Sequence, residues 1–218
     1  MCIICIKKKG VRFPSVECVK TMCDNNSHGF AIAISRGKTP HIVKTLNKQK
    51  FIHIYKGLIK KYDYEDTTMF IHARIMTHGT KRIENCHGWK ENGLIFAHNG
   101  VLSIANRDDM TDSETFFRDI FSPAYKVGGW KLAERTIDAI IGTSKFVFMD
   151  NSGNIKYYGN YIEDDGLLFS NNTYRPYIVP RYTPRSGYWW ENDNASRYAW
   201  NKSLEDSEKF NSFDWSDF

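Results

Sequence analysis

Cys2 follows the initiator methionine and opens a β-forming run, Ile3, Ile4, Cys5 and Ile6. Methionine is commonly removed when the next side chain is small, which would leave a thiol and a free α-amino group on one residue. An α-amine titrates near about 7.7–8.0, so part of it is neutral at pH 7 and can take the thiol's proton directly or through a water. Nucleophile and base then arrive together, without a separate histidine. The competing reading of Cys2 is a small buried hydrophobe on a strand.

Further along come Arg74-Ile75-Met76-Thr77-His78-Gly79, Asn85-Cys86-His87, Ala97-His98-Asn99-Gly100-Val101 and Thr111-Asp112-Ser113-Glu114. The first three stand at or just beyond the end of a candidate strand. Each has a plain alternative. Arg74 could be a surface strand residue, Asn99-Gly100 a type I′ hairpin turn, and Asp112 an acid at a helix start capped by Thr111 with Glu114 completing a capping box. A zinc-binding or nucleic-acid module is a further alternative, on the spacing Cys2-x-x-Cys5 with Cys18 and Cys23. The strand alternation of Ile3-Ile4 opposes it by sending Cys2 and Cys5 to opposite faces.

Taken in order with Cys2, these segments resemble the signature of the class II glutamine amidotransferases, whose glutaminase domains are N-terminal-nucleophile hydrolases. The resemblance implies an αββα sandwich of two antiparallel sheets flanked by helices. Cys2 resembles the nucleophile, and Asn99 (side-chain N–H) with Gly100 (backbone N–H) the oxyanion hole. Arg74 resembles the clamp on the glutamine α-carboxylate, Asp112 the acceptor of its α-ammonium, and Thr77, His78 and Gly79 the segment along the bound ligand. Several positions depart from the family pattern. Met76 replaces an alanine, Gly88 stands where a proline follows Asn-x-His, and His28 takes the place of an aspartate in Asn26-Ser27-His28-Gly29-Phe30-Ala31. None removes a group that performs chemistry, so reaction type is better specified than substrate.

The implied reaction is hydrolysis of glutamine to glutamate and ammonia through a Cys2 thioester, with ammonia passed to an unknown acceptor. Alternatives are a stand-alone γ-glutamyl amide or peptide hydrolase and a catalytically inactive binding protein. No cofactor and no metal are expected. After about residue 180 no synthase domain fits, so the expected partners are the small-molecule substrate and a separate synthase.

Positioning these groups requires strands and helices. Apolar residues at Phe51, Ile54, Tyr55, Leu58, Ile59 and Tyr62 make one helix face, and Leu132, Ala133, Thr136, Ile137, Ile140 and Ile141 make another within 131–141. Strands are expected over 3–6, 29–35, 41–46, 69–75, 94–98, 145–149, 155–158 and 167–169. Turn signals at Asn25-Asn26, Asn99-Gly100 and Asn151-Ser152-Gly153 join several of them and suit antiparallel sheets, hence an α+β class.

Composition bounds the rest. At 218 residues with 41% hydrophobic and 25% charged side chains, the chain is long enough to bury a core without disulfides or metal. Five cysteines and no export signal point to a reducing, cytoplasmic setting, and no apolar run would span a bilayer. The histidines read mostly as structural hydrogen-bonders, and Cys5, Cys18 and Cys23 as inert thiols. From Ser186 onward seven acids meet three bases, so this stretch carries −4 and the remainder +9 of the net +5. Scattered solubilising lysines, rather than a nucleic-acid partner, account for the basic body. Four of the six tryptophans fall in the acidic stretch. Residues 1–185 therefore read as the amidotransferase-like domain and 186–218 as an acidic, aromatic-rich tail, either disordered or docked on the chain's own basic body or on a partner such as a separate synthase.

Overall fold

Apolar residues run almost continuously along strand segments that must bury both faces, and the computed structural model resolves them into two stacked antiparallel sheets. It describes residues 1–76, 81–105 and 110–176. The first sheet runs β3 (His41–Thr45), β2 (Phe30–Ser35), β4 (Thr68–Ala73), β1 (Ile3–Lys7), β10 (Leu167–Phe169), β9 (Ile162–Asp164). The second runs β5 (Trp89–Glu91), β6 (Leu94–Asn99), β7 (Lys145–Asp150), β8 (Ile155–Tyr158).

Strand periodicity assigns the layers. Ile4, Ile6, Ala33, Phe70 and Leu168 of the first sheet meet Ile95, Ala97, Val147 and Met149 of the second in one apolar core. The opposite face of β1 lies under helices α1 (Val16–Asn25) and α2 (Lys48–Lys61), where Cys5 interacts electrostatically with Cys18 and Tyr55. On the far side of the second sheet, Phe96, Phe146 and Phe148 pack against Phe116, Phe117, Phe121, Ala133 and Ile137. These come from a π-helical turn (Phe116–Phe121), which continues from α3 (Asp112–Thr115), and from α4 (Ser122–Ile140). The order helix, sheet, sheet, helix is the α+β sandwich expected.

Local chemistry explains the boundaries. The Ser15 side chain accepts from Cys18 N at 3.0 Å and that of Asn47 from Lys50 N at 2.8 Å, capping α1 and α2. Lys60 and Lys61 sit at the negative end of α2. α4 begins nine residues ahead of the expected helix start at 131, because its first half bends at Gly128–Gly129, where the apolar periodicity breaks. Two hairpins use left-handed pairs, Asn92-Gly93 (φ 47° and 77°) between β5 and β6, and Asp165-Gly166 (φ 50° and 77°) between β9 and β10. Asn99-Gly100 is not a hairpin turn, since β6 pairs with β5 and β7 and the chain leaves Asn99 toward α3. Asn25-Asn26 likewise ends α1 rather than joining strands.

Lys7 is fully buried at the end of β1. Its ammonium donates to the carbonyls of Thr67 at 2.5 Å and of Tyr64, and lies 4.8 Å from the Phe13 ring centroid. Burial lowers its pKa to about 8, against the pull of nearby Asp63. No helix among the described residues is long and apolar enough to cross a membrane. The expected tail 186–218 lies outside the described residues.

Candidate active site

β1 and β4 pair with Ile3 opposite Ala73, so the residues that extend them, Cys2 and Arg74, leave the sheet side by side. Cys2 is part-buried, and its thiol approaches the Ile75 carbonyl at 3.5 Å. Burial pushes the thiol above its ordinary pKa, while a backbone hydrogen bond at Ile75 and the Arg74 charge pull the other way. A thiol in this setting needs a base to become a nucleophile at neutral pH. Arg74 is 3% exposed, which excludes the surface reading. Its backbone is held on both sides, Arg74 N donating to Gly29 O at 2.8 Å and its carbonyl accepting from His28 N at 2.9 Å.

β6 delivers the other half of the site from the second sheet. Asn99, its last residue, is 2% exposed. Its Nδ2 donates to Ser170 Oγ at 2.8 Å, whereas its Oδ1 is buried without a hydrogen-bond partner among the described residues. Ser170 Oγ also accepts from Ile4 N at 2.8 Å, and Asn171 Nδ2 donates to the Cys2 carbonyl at 2.6 Å. Thus Cys2 and Asn99 share neighbouring anchors at the end of β10. Gly100 has φ 149°, and a Cβ there would come within 2.2 Å of Ser144 Oγ and 2.9 Å of His98 Nε2. Only glycine fits this position.

Asp112 opens α3, with Thr111 Oγ1 accepting from Glu114 N at 3.3 Å. The helix-start reading is therefore correct as far as it goes. Asp112 also reaches back to the β6 exit, since Oδ2 accepts from Leu102 N at 2.8 Å and Oδ1 from Ser113 N at 2.7 Å and Ser113 Oγ at 3.1 Å. Ser113 Oγ in turn sits 2.7 Å from His98 Nδ1. One carboxylate and one hydroxyl thereby tie Leu102 and His98 to the start of α3. Thr77, His78 and Gly79 lie outside the described residues.

Residues 4–136 match the sequence model of the family described as glutamine amidotransferases class-II. The chain belongs to this family. Among solved structures it is similar to the glutamine phosphoribosylpyrophosphate amidotransferase from B. subtilis, complexed with ADP and GMP. The identity is 15% and the TM-score 0.47, over 78% of this chain and 42% of that one. A glutamine aminotransferase class-II domain protein from Silicibacter pomeroyi also matches, at 15% identity and TM-score 0.41, over 69% of this chain and 73% of that one. The chain thus spans less than half of the B. subtilis chain. No curated protein matches it.

In this family member the histidines behave unevenly. His28 Nδ1 accepts from Met76 N at 2.8 Å and His87 Nδ1 from His98 N at 3.0 Å, the structural role expected. His72 departs from it. Fully buried on β4, it has no hydrogen-bond partner on either nitrogen among the described residues and stacks on His87 at 3.9 Å and 8°. His98 lies 6.3 Å beyond His87 and carries the row onto the far face of the second sheet, where it meets Phe146 edge-on at 5.1 Å. Burial, reinforced by the neighbouring positive charges, lowers His72 to about 3 and takes His87 well below its ordinary value. Burial also lowers His98 to about 4, against the attraction of Asp112. Among the described residues no group of three or more His, Cys, Asp or Glu could hold a metal.

Ser113, Ser144, Ser170 and Asn171 are not singled out by the sequence. Ser170-Asn171-Asn172-Thr173 carries only a turn signal after a short strand, and its partners lie up to 169 residues away. A cleft of about 790 Å3, lined by Arg12, Phe13, Cys18, Asp164, Tyr174 and Arg175 among others, does not include Cys2, Arg74 or Asn99 and is separate from this site.

Proposed function

We propose that the chain, once Met1 is removed, is a glutaminase that releases ammonia from glutamine through a Cys2 thioester. The observation that carries this reading is the convergence of Cys2, Arg74 and Asn99 at the ends of β1, β4 and β6. The free α-amine takes the thiol proton, and sulfur attacks the amide carbon. Asn99 Nδ2–H and Gly100 N–H receive the oxyanion. The C–N bond breaks as the α-ammonium returns its proton to the leaving ammonia, and water then attacks the thioester to give glutamate. Arg74 provides the charge for the α-carboxylate. Asp112 has roughly four lone-pair sites and spends three on Leu102 and Ser113, so one is left for the α-ammonium. Ammonia passes to a separate synthase, engaged through the acidic, aromatic residues 186–218.

A second reading, hydrolysis of a γ-glutamyl amide or peptide, rests on Met76 and Val101. These apolar side chains adjoin the site in sequence and are 36% and 60% exposed, which suits a leaving amine larger than ammonia.

The test uses protein shown by intact mass to begin at Cys2, assayed for glutamate and ammonia from glutamine and for amine from γ-glutamyl dipeptides. Turnover is expected, with Cys2→Ala lowering kcat at least about 10⁴-fold. Preference for the dipeptides selects the second reading. Inactivity of the processed protein toward both substrates, or an active C2A variant, overturns the proposal.

A further inference from the structure

Ser170 and Asn171 lie outside the segment that matches the family, yet they touch both halves of the site. Ser170 grips Ile4 twice, its N donating to Ile4 O at 3.0 Å and its Oγ accepting from Ile4 N at 2.8 Å. The same Oγ accepts from Asn99 Nδ2 at 2.8 Å. A serine hydroxyl has two acceptor lone pairs and one donor, so both lone pairs are used by these two N–H groups. The Nδ2 end of the Asn99 amide is the one that faces Ser170. With Nδ2 set there, its second N–H bonds to no partner among the described residues. Asn171 completes the grip at the Cys2 carbonyl, and its own amide is fixed because Oδ1 accepts from Thr173 N at 3.0 Å and Thr173 Oγ1 at 2.7 Å.

We propose that Ser170 is a positioning residue for amide hydrolysis. It orients the Asn99 amide so that its second N–H serves the oxyanion, while Asn171 holds the Cys2 backbone in register with it. The inference rests on the glutaminase reading above. Ser170 does not touch substrate. Without its hydroxyl the Asn99 amide is free to turn, and Oδ1, which has no partner to hold it among the described residues, can face the oxyanion instead. That reverses a stabilising dipole.

The experiment compares processed wild type with Ser170→Ala, Ser170→Thr and Ser170→Cys, using glutamine kinetics and the rate of Cys2 alkylation by iodoacetamide, a reaction that develops no oxyanion. S170A is expected to lose about 10²-fold in kcat, the scale of one lost oxyanion donor, with KM and alkylation rate within threefold of wild type. S170T, which restores the hydroxyl, should return to within fivefold. If S170A does not fold, S170C carries the test, because sulfur is a weak acceptor in nearly the same volume. It should then lose at least tenfold in kcat. An S170A, or in its place an S170C, with kcat within threefold of wild type overturns the inference, as does an S170T no better than S170A. Parallel loss of turnover and alkylation also overturns it, by assigning the defect to Cys2 rather than to Asn99. Absence of turnover by wild type overturns the glutaminase reading, and the role of Ser170 with it.

Discussion

The two ends of strand β6 are built on opposite principles. In its first half, Phe96 touches Phe116, Phe117, Phe146 and Phe148 at ring-centroid distances of 4.8–5.8 Å, so its packing is shared among several neighbours. At its end, His98 and Asn99 depend on single hydroxyls, Ser113 and Ser170, and each retains a buried atom without a partner among the described residues. Apolar contacts are many and weak, whereas a buried polar group with one partner costs much if that partner is lost and little only if both are replaced by apolar groups of like shape. One strand thus combines an end that supplies stability with an end that gives some of it up where the proposed oxyanion hole lies.

Three measurements sharpen or break this contrast. The largest expected effect is on folding, where Phe96→Ala should cost about 3–5 kcal/mol in denaturant unfolding. A loss below about 1 kcal/mol would mean the aromatic cluster does not concentrate stability. Next comes Asn99→Ala, expected to lose about 10²–10³-fold in kcat. Its stability should change by less than about 1 kcal/mol, since the lost bond to Ser170 is offset by removal of an unpartnered buried oxygen. A strongly destabilised Asn99→Ala protein would erase the distinction between the two ends. The smallest effect concerns acid. His72 and His98 have folded pKa values lowered to about 3 and about 4, while an unfolded histidine titrates near about 6.5. The unfolded chain therefore binds more protons in this window. Stability is fully present above about pH 6.5 and falls as pH drops toward 4. His72→Leu should flatten that fall in urea midpoints measured across the window, and an unchanged slope would remove the histidine row as its source.

Strand positions were legible because alternation and apolar runs are local properties. β8 and β10 keep the expected bounds, and β2 and β4 begin or end within two residues of theirs. Cys2, Arg74, Asn99 and Gly100 could be picked out because each stands at a strand end within a distinctive short segment. What escaped notice was either short or long-range. β5 and β9 have three residues each, too few to show a period, although the Asn92-Gly93 and Asp165-Gly166 pairs beside them mark both hairpins. α1 mixes Glu17, Lys20 and Asp24 with Val19, Met22 and Cys23, and its start at Ser15 shows in sequence only as a cap without a clear stripe behind it. Ser170 looks like an ordinary turn serine until the fold brings Ile4 and Asn99 to it.

The lateral position of β10 also sets an order of events. Between β4 and β10, β1 has a neighbour on each side, and the second neighbour is encoded about 160 residues later. On a ribosome, the segment bearing the thiol therefore waits with one flank of backbone amides and carbonyls unpaired until nearly the whole folded unit has emerged. Such a flank invites pairing with other chains. Synthesis that stops short of residue 167 should thus yield an aggregating product, because the last hairpin of the first sheet both seals that flank and brings the serine that holds Asn99.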